Sequence, residues 1–132
     1  MIYVDTCLVI YGFENHALYG TRVLQAFGKA AAAALAISPL VKLECLVGPM
    51  RSGNLVLQRH YELGLEQFTV LPLPEPVFIQ AAALRARFGL RTPDALHLAA
   101  AQYHRCDAFW TNDDRLAQAA HGLAINVLAA PV

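Results

Sequence analysis

Short apolar runs alternate along this chain with longer segments whose apolar residues recur at helical spacing. The short runs predict strands over residues 2–4, 35–38, 68–71, 108–111 and 125–128. The longer segments predict helices over residues 7–13, 16–34, 40–50, 55–65, 77–88, 92–104 and 114–120. This alternation favours an α/β fold with a mostly parallel central sheet of about five strands and helices on both faces. With 132 residues, the chain is expected to form a single domain over residues 1–132.

Composition and cysteine usage narrow the setting in which this domain works. The chain is 57% hydrophobic, which favours apolar surface buried in a homodimer or against a partner chain. Ten basic residues balance ten acidic ones, so net charge neither favours nor excludes nucleic acid. The odd number of cysteines and their lack of metal-type spacing are typical of reduced thiols in a cytoplasmic protein. No signal peptide or membrane-spanning run is recognisable, so we expect a soluble protein with no membrane partner.

Acidic residues stand at positions that such a sheet brings together. Asp5 follows the first predicted strand and Asp113 follows the fourth, and the carboxyl ends of parallel strands meet at one edge. Asp94 lies in the first turn of a predicted helix. Glu44 lies among apolar helix residues, where an unpaired carboxylate would be costly. Together these four acids favour a shared site whose oxygen ligands suit Mg²⁺ or Mn²⁺ rather than zinc.

Each acid also has a simpler explanation when it is taken alone. Thr92 as N-cap and Pro93 at N1 make an ordinary helix start, in which Asp94 stabilises the helix dipole. Asp113 or Asp114 is able to cap the helix that follows. Only the four acids taken together, at positions that one sheet brings close, favour a shared catalytic site.

The segments that carry these acids resemble the four acidic motifs of PIN-domain ribonucleases. They read MIYVDT, ISPLVKLECLVGPMRSG, RTPDALHLAAA and WTND, and they cover nearly the whole chain in the expected order. The resemblance is strongest to the VapC toxins of type II toxin–antitoxin systems. It implies a PIN-like three-layer fold and a metal-dependent endoribonuclease toxin. It also implies RNA as the substrate and a cognate VapB-type antitoxin as the partner.

The resemblance further implies roles for individual residues. Catalytic and metal-binding roles, with one or two Mg²⁺ or Mn²⁺ ions, fall to Asp5, Glu44, Asp94 and Asp113. Supporting roles fall to Thr6 and Thr111, which match hydroxyls of the motifs and are expected to orient a carboxylate or a metal-bound water. Asp114 is a further candidate, which either binds the metal through water or caps the helix that follows. Candidates for contact with the RNA backbone are Arg51 and Arg91, with Arg59, Arg85 and Arg87 as further basic residues.

Two residues near the motifs receive no catalytic role. Cys7 stands where the family often has Ser or Asn, and a thiol is a poorer hydrogen-bond partner. His97 lies three residues after Asp94 on the same predicted helix face. We interpret it as a hydrogen-bonded structural histidine rather than a metal ligand.

Two other functions remain open at this point. The first is a phosphohydrolase of the haloacid-dehalogenase type with Asp5 as covalent nucleophile. Such enzymes need a second Asp two residues later, where this chain has Cys7. The second is a non-catalytic PIN-like interaction module, against which the presence of all four acids argues.

Overall fold

Five parallel strands and seven helices make up the part of the chain that the structure describes. The computed structural model describes residues 1–30 and 34–129. Its strands are β1 (Ile2–Val4), β2 (Leu35–Ile37), β3 (Thr69–Val70), β4 (Ala108–Trp110) and β5 (Ala124–Ile125). Its helices are α1 (Thr6–Phe13), α2 (Gly20–Lys29), α3 (Pro39–Ser52), α4 (Leu55–Leu65), α5 (Glu75–Phe88), α6 (Thr92–Tyr103) and α7 (Asp114–Ala119).

The strand order in the sheet is β3-β2-β1-β4-β5, and every neighbouring pair is parallel. β1 is central, with Tyr3 opposite Ala36 on one side and Phe109 on the other. Helices α1 to α4 pack with one another, and α5 packs with α6. The predicted α/β fold class is therefore confirmed, and all strands end at the same edge of the sheet.

The core lies between the sheet and the helices that cover it. Tyr3, Val4 and Phe109 are fully buried on the two central strands. On α6, every residue from 95 to 101 is buried, so this helix is enclosed on all sides. Its alanines allow close approach, whereas each buried Leu or Phe of the core contributes roughly 1.5–3 kcal/mol of transfer free energy. Phe109 and Trp110 are core residues, as expected from their apolar strand.

The last predicted strand, residues 125–128, is wrong in its position. The strand ends at Ile125 because the next residue turns the chain. The Asn126 side-chain oxygen accepts a hydrogen bond from the Leu128 amide at 2.9 Å, and its carbonyl accepts one from Ala129. Asn competes in this way with strand pairing by bonding its own backbone.

The second predicted helix, residues 16–34, is shorter in the structure and begins at Gly20. Asn15 has a left-handed backbone, with φ of 51°. The His16 ring nitrogen Nδ1 then accepts hydrogen bonds from the Leu18 and Tyr19 amides, which holds a turn before the helix. The helix ends at Lys29, and residues 31–33 of the prediction lie outside the described residues.

None of the helices in residues 1–30 and 34–129 combines the length and the apolar character that crossing a bilayer requires.

Candidate active site

The four predicted acids border one pocket at the carboxyl edge of the sheet. The pocket has a volume of about 390 Å³, and its walls include Asp5, Glu44, Asp94 and Asp113. Thr6 and Arg91 also line it, whereas Arg51 does not and lies exposed at the end of α3. The structure thus brings together acids from the end of β1, from α3, from α6 and from the segment after β4.

Asp5 is the most enclosed of the four acids, because it leaves the central strand and enters α1 directly as its N-cap. Its backbone amide donates to the Trp110 carbonyl at 2.9 Å, which continues the sheet by one bond. The Thr111 hydroxyl donates to Asp5 Oδ2 at 2.7 Å. Burial raises the pKa of the Asp5 carboxyl, with the negative charge of Asp94 adding to the shift, while His97 and the Thr111 hydrogen bond oppose it. Negative charge on Asp5 is therefore only partly compensated.

Glu44 extends into the pocket from α3, and one oxygen of its carboxylate accepts two hydrogen bonds. The Thr6 hydroxyl donates to Oε1 at 2.8 Å, and His97 Nε2 lies 2.5 Å from the same oxygen. Burial acts to raise the pKa of Glu44, but the hydrogen bonds from His97 and Thr6 outweigh it and hold the pKa below its usual range. Glu44 is consequently ionised at neutral pH.

Asp94 lies in the first turn of α6 and faces a cation from its own segment. Arg91 Nε donates to Asp94 Oδ2 at 3.0 Å; the Asp94 side chain is 16% exposed and that of Arg91 is 75% exposed. Arg91, rather than the predicted Thr92, is the N-cap residue of α6. The α6 backbone bonds begin one residue earlier than the sequence indicates, because the Ala95 amide donates to the Arg91 carbonyl.

Asp113 both caps the N-terminus of α7 and borders the pocket. Its Oδ1 accepts hydrogen bonds from the Arg115 amide at 2.9 Å and the Leu116 amide at 3.4 Å, while the residue also borders the pocket. Its own amide donates to the Thr111 hydroxyl at 3.1 Å, so Thr111 links Asp113 to Asp5. Asp114 is exposed, begins the helix and does not line the pocket.

Cys7 borders the pocket, but its thiol is not poised for chemistry. Burial raises the pKa of the Cys7 thiol to about 12, so the sulfur stays protonated at neutral pH. It donates to Asn112 Oδ1 at 3.1 Å. Asn112 also lines the pocket, although no role was predicted for it from its position directly before Asp113.

The donor set fits a hard divalent cation in its chemistry. Four carboxylates supply the oxygen ligands that Mg²⁺ and Mn²⁺ prefer, and a positive charge would offset the remaining cost of burying Asp5. In the described residues, however, no three His, Cys, Asp or Glu side chains already form a ready-made metal cage. Arg91 and the N-terminus of α7 occupy two of the acids, so the site has the right ligands in a partly neutralised arrangement.

His97 is a hydrogen-bonded structural residue, as predicted, but its bond to the pocket residue Glu44 is not evident from the sequence. The histidine is 1% exposed, and Tyr3 and Ser38 lie buried beneath it. The one available signal was the spacing of three residues from Asp94, which places His97 on the side of α6 that faces the site.

The PIN domain family matches this sequence over residues 2–122. Comparison with the sequences of curated proteins finds no match. Several solved structures share the fold. A toxin–antitoxin complex from Klebsiella pneumoniae is 23% identical with a TM-score of 0.80, and the alignment covers 96% of this chain and 98% of that chain.

FitAcB from Neisseria gonorrhoeae is 21% identical over 96% of this chain and 98% of that chain, with a TM-score of 0.80. VapBC2 from Rickettsia felis, bound to a DNA fragment from its promoter, is 19% identical over 96% and 98% of the two chains, with a TM-score of 0.76. At these identities the structural likenesses establish the fold.

Proposed function

The chain belongs to the PIN-domain family, and from that premise we propose that it is a metal-dependent endoribonuclease and the toxin of a type II toxin–antitoxin pair of the VapBC kind. The observation that carries the proposal is that four carboxylates from separate parts of the chain border one pocket: Asp5, Glu44, Asp94 and Asp113. The toxin–antitoxin complexes among the solved structures with this fold support the toxin role.

In the proposed reaction, Asp5, Glu44, Asp94 and Asp113 would hold a Mg²⁺ or Mn²⁺ ion. Such an ion, when bound, lowers the pKa of the attacking water and neutralises charge on the scissile phosphate. The chain itself supplies orientation, because Thr111 holds Asp5 and Thr6 holds Glu44 before any ligand arrives. Asp94 would hold the ion together with the other three acids, and in the metal-free chain its Oδ2 is paired with Arg91. The Arg91 guanidinium is largely exposed and would be able to bind a phosphate oxygen of the RNA.

The surface outside the pocket supports binding to an antitoxin. A groove of about 550 Å³ lies among α1, α2 and α4, and its apolar walls include Phe13, Leu24 and Leu63. Leu55 and Val56 on α4 are 74% and 84% exposed. Apolar surface of this kind suits an amphipathic helix or extended segment of an antitoxin, and a homodimer would cover other exposed apolar residues.

The nuclease is tested with purified protein and a mixed-sequence RNA in Mg²⁺ or Mn²⁺. We expect cleavage that EDTA abolishes, and loss of cleavage in Asp94→Asn with an unchanged circular dichroism spectrum. Asp107→Asn is the matched control, because Asp107 is exposed, lies before β4 at the opposite edge of the sheet and pairs with the N-terminal amine. Full cleavage by well-folded Asp94→Asn would show that the proposed catalytic site is wrong.

The toxin role needs a separate test in cells. We expect expression of the chain to arrest growth, and co-expression of a small DNA-binding protein from the adjacent reading frame to relieve the arrest. If purified protein binds no Mn²⁺ in calorimetry and cuts no RNA, the alternative of a non-catalytic interaction module is favoured instead.

A further inference from the structure

Three polar side chains lie buried beneath the pocket without lining it: Tyr3, Ser38 and His97. Tyr3 and Ser38 are 0% exposed and His97 is 1% exposed. Burying such groups is costly unless they are hydrogen-bonded. In the described residues no buried side-chain nitrogen or oxygen lacks a hydrogen-bond partner, so hydrogen bonds within the molecule offset the desolvation of these groups.

Those bonds form one continuous path that ends on a pocket carboxylate. Ser38 Oγ and the Tyr3 hydroxyl are 2.7 Å apart, and the Tyr3 hydroxyl is 2.7 Å from His97 Nδ1. His97 Nε2 then meets Glu44 Oε1. The path joins β1, the start of α3, α6 and the middle of α3, which are elements separated by up to 94 residues along the chain.

The direction of the last bond follows from what each atom can do. An ionised carboxylate only accepts hydrogen bonds, so His97 Nε2 must carry a hydrogen and donate it to Glu44. The other ring nitrogen, Nδ1, faces the Tyr3 hydroxyl, which is able to donate or to accept. The Tyr3 hydroxyl therefore completes the path between Ser38 and His97.

These bonds fix the Glu44 carboxylate through Oε1 and leave Oε2 without a hydrogen bond in the described residues. Two donors, His97 Nε2 and the Thr6 hydroxyl, converge on Oε1, and none of the hydrogen bonds in the described residues involves Oε2. A glutamate side chain has several rotatable bonds, and anchoring one oxygen removes most of that freedom before a ligand binds. Because Glu44 borders the pocket, Oε2 is the oxygen that remains for a ligand.

We propose that His97, anchored by Tyr3 and Ser38, is a positioning residue that holds Glu44 ready for the divalent cation. This inference rests on the proposed nuclease function. Partners that orient a metal-binding side chain typically contribute about 10- to 100-fold to metal affinity. A histidine that only filled the core would contribute stability and nothing to affinity.

The first test removes one hydroxyl from the path and leaves the aromatic ring in place. Tyr3→Phe is compared with Tyr61→Phe, since Tyr61 is also 0% exposed and its hydroxyl bonds Glu14 far from the pocket. Mn²⁺ affinity is measured by calorimetry, and thermal unfolding is measured in EDTA. We expect both variants to fold, and only Tyr3→Phe to bind Mn²⁺ severalfold more weakly than wild type.

The second test asks whether a hydrogen-bond donor at position 97 is sufficient. The His97→Gln amide is able to donate to Glu44, whereas His97→Leu has no donor. We expect His97→Leu to lose about 10- to 100-fold in Mn²⁺ affinity and His97→Gln to recover most of it. Recovery by Gln separates positioning from core filling, because Leu is the better apolar substitute.

The outcomes separate this inference from the function on which it rests. If wild type binds Mn²⁺ and cleaves RNA while folded Tyr3→Phe and His97→Leu bind Mn²⁺ as wild type does, the positioning role is overturned and the nuclease stands. Equal losses of affinity in Tyr3→Phe and Tyr61→Phe also overturn it. If wild type neither binds Mn²⁺ nor cleaves RNA, both the function and the inference fall.

Discussion

The two sides of the pocket hold their carboxylates in different ways. On the inner side, defined by Asp5 and Glu44, neutral hydroxyls and a histidine orient the acids. On the outer side, defined by Asp94 and Asp113, the Arg91 guanidinium pairs with Asp94, and backbone amides at the start of α7 donate to Asp113. The inner side is thus prepared for a cation that is not part of the chain, whereas on the outer side Arg91 competes with such a cation for Asp94.

The largest expected effect is at the centre of the inner side. Asp5→Asn should abolish RNA cleavage and at the same time stabilise the metal-free protein at neutral pH, because a buried and only partly compensated negative charge is removed. The Asn side-chain oxygen is still able to accept from Thr111. We expect a gain of about 1 kcal/mol in the free energy of unfolding. Thermal unfolding in EDTA measures it.

The pH dependence of that gain checks its cause. Burial raises the pKa of Asp5 in the folded protein above the ordinary value of 3.8. Below that value the carboxyl is protonated in both folded and unfolded chains, so wild type and variant should differ little. As pH rises towards the raised pKa, only the unfolded chain ionises freely, and wild type loses stability relative to Asp5→Asn. A gain that is constant from pH 3 to pH 8 would contradict this explanation.

A second prediction separates the two tasks of Asp113 on the outer side. Asp113→Asn keeps an oxygen to cap α7, whereas Asp113→Ala does not. We expect both variants to lose cleavage, and only Asp113→Ala to lose about 1 kcal/mol of stability in urea unfolding. Asp114→Asn is the control, because Asp114 is exposed and does not line the pocket, and it should keep cleavage. Loss of cleavage in Asp114→Asn would place that acid in the site.

The smallest predicted effect concerns the exchangeable partner of Asp94. Arg91→Gln removes a competing cation, so Mn²⁺ should bind about two- to fivefold more tightly in calorimetry, an effect limited by solvent screening of the exposed guanidinium. Arg59→Gln is the matched control, because Arg59 pairs with Glu62 at the same spacing of three residues away from the pocket. Equal affinities in wild type and Arg91→Gln would show that the ion pair does not oppose metal binding.

Much of the fold was predictable, because apolar periodicity reports which face of an element is buried. All five strands and all seven helices were expected in their observed order. The errors fall where side chains bond their own backbone, as Asn126 does after β5 and His16 does before α2. Such local bonds depend on a side-chain rotamer and leave little trace in a pattern of apolar residues.

The acids of the pocket were also predictable, whereas the partners that hold them were not. Asp5 and Asp113 follow strands of a parallel sheet, so their convergence follows from topology. The contact of Glu44 with His97 joins residues 53 positions apart, and no spacing rule relates them. The pairing of Arg91 with Asp94 is local, but its bearing on the pocket appears only once both side chains line the same wall.

The sequence by itself determined the chemistry of the donors, four carboxylates in an α/β frame, because residue type and strand order are written along the chain. Only the tertiary structure decided which carboxylates are held by hydrogen bonds and which one is already paired with a guanidinium. The physical reason is that compensation of charge depends on distances of about 3 Å between groups remote in sequence, and packing of the whole domain sets those distances.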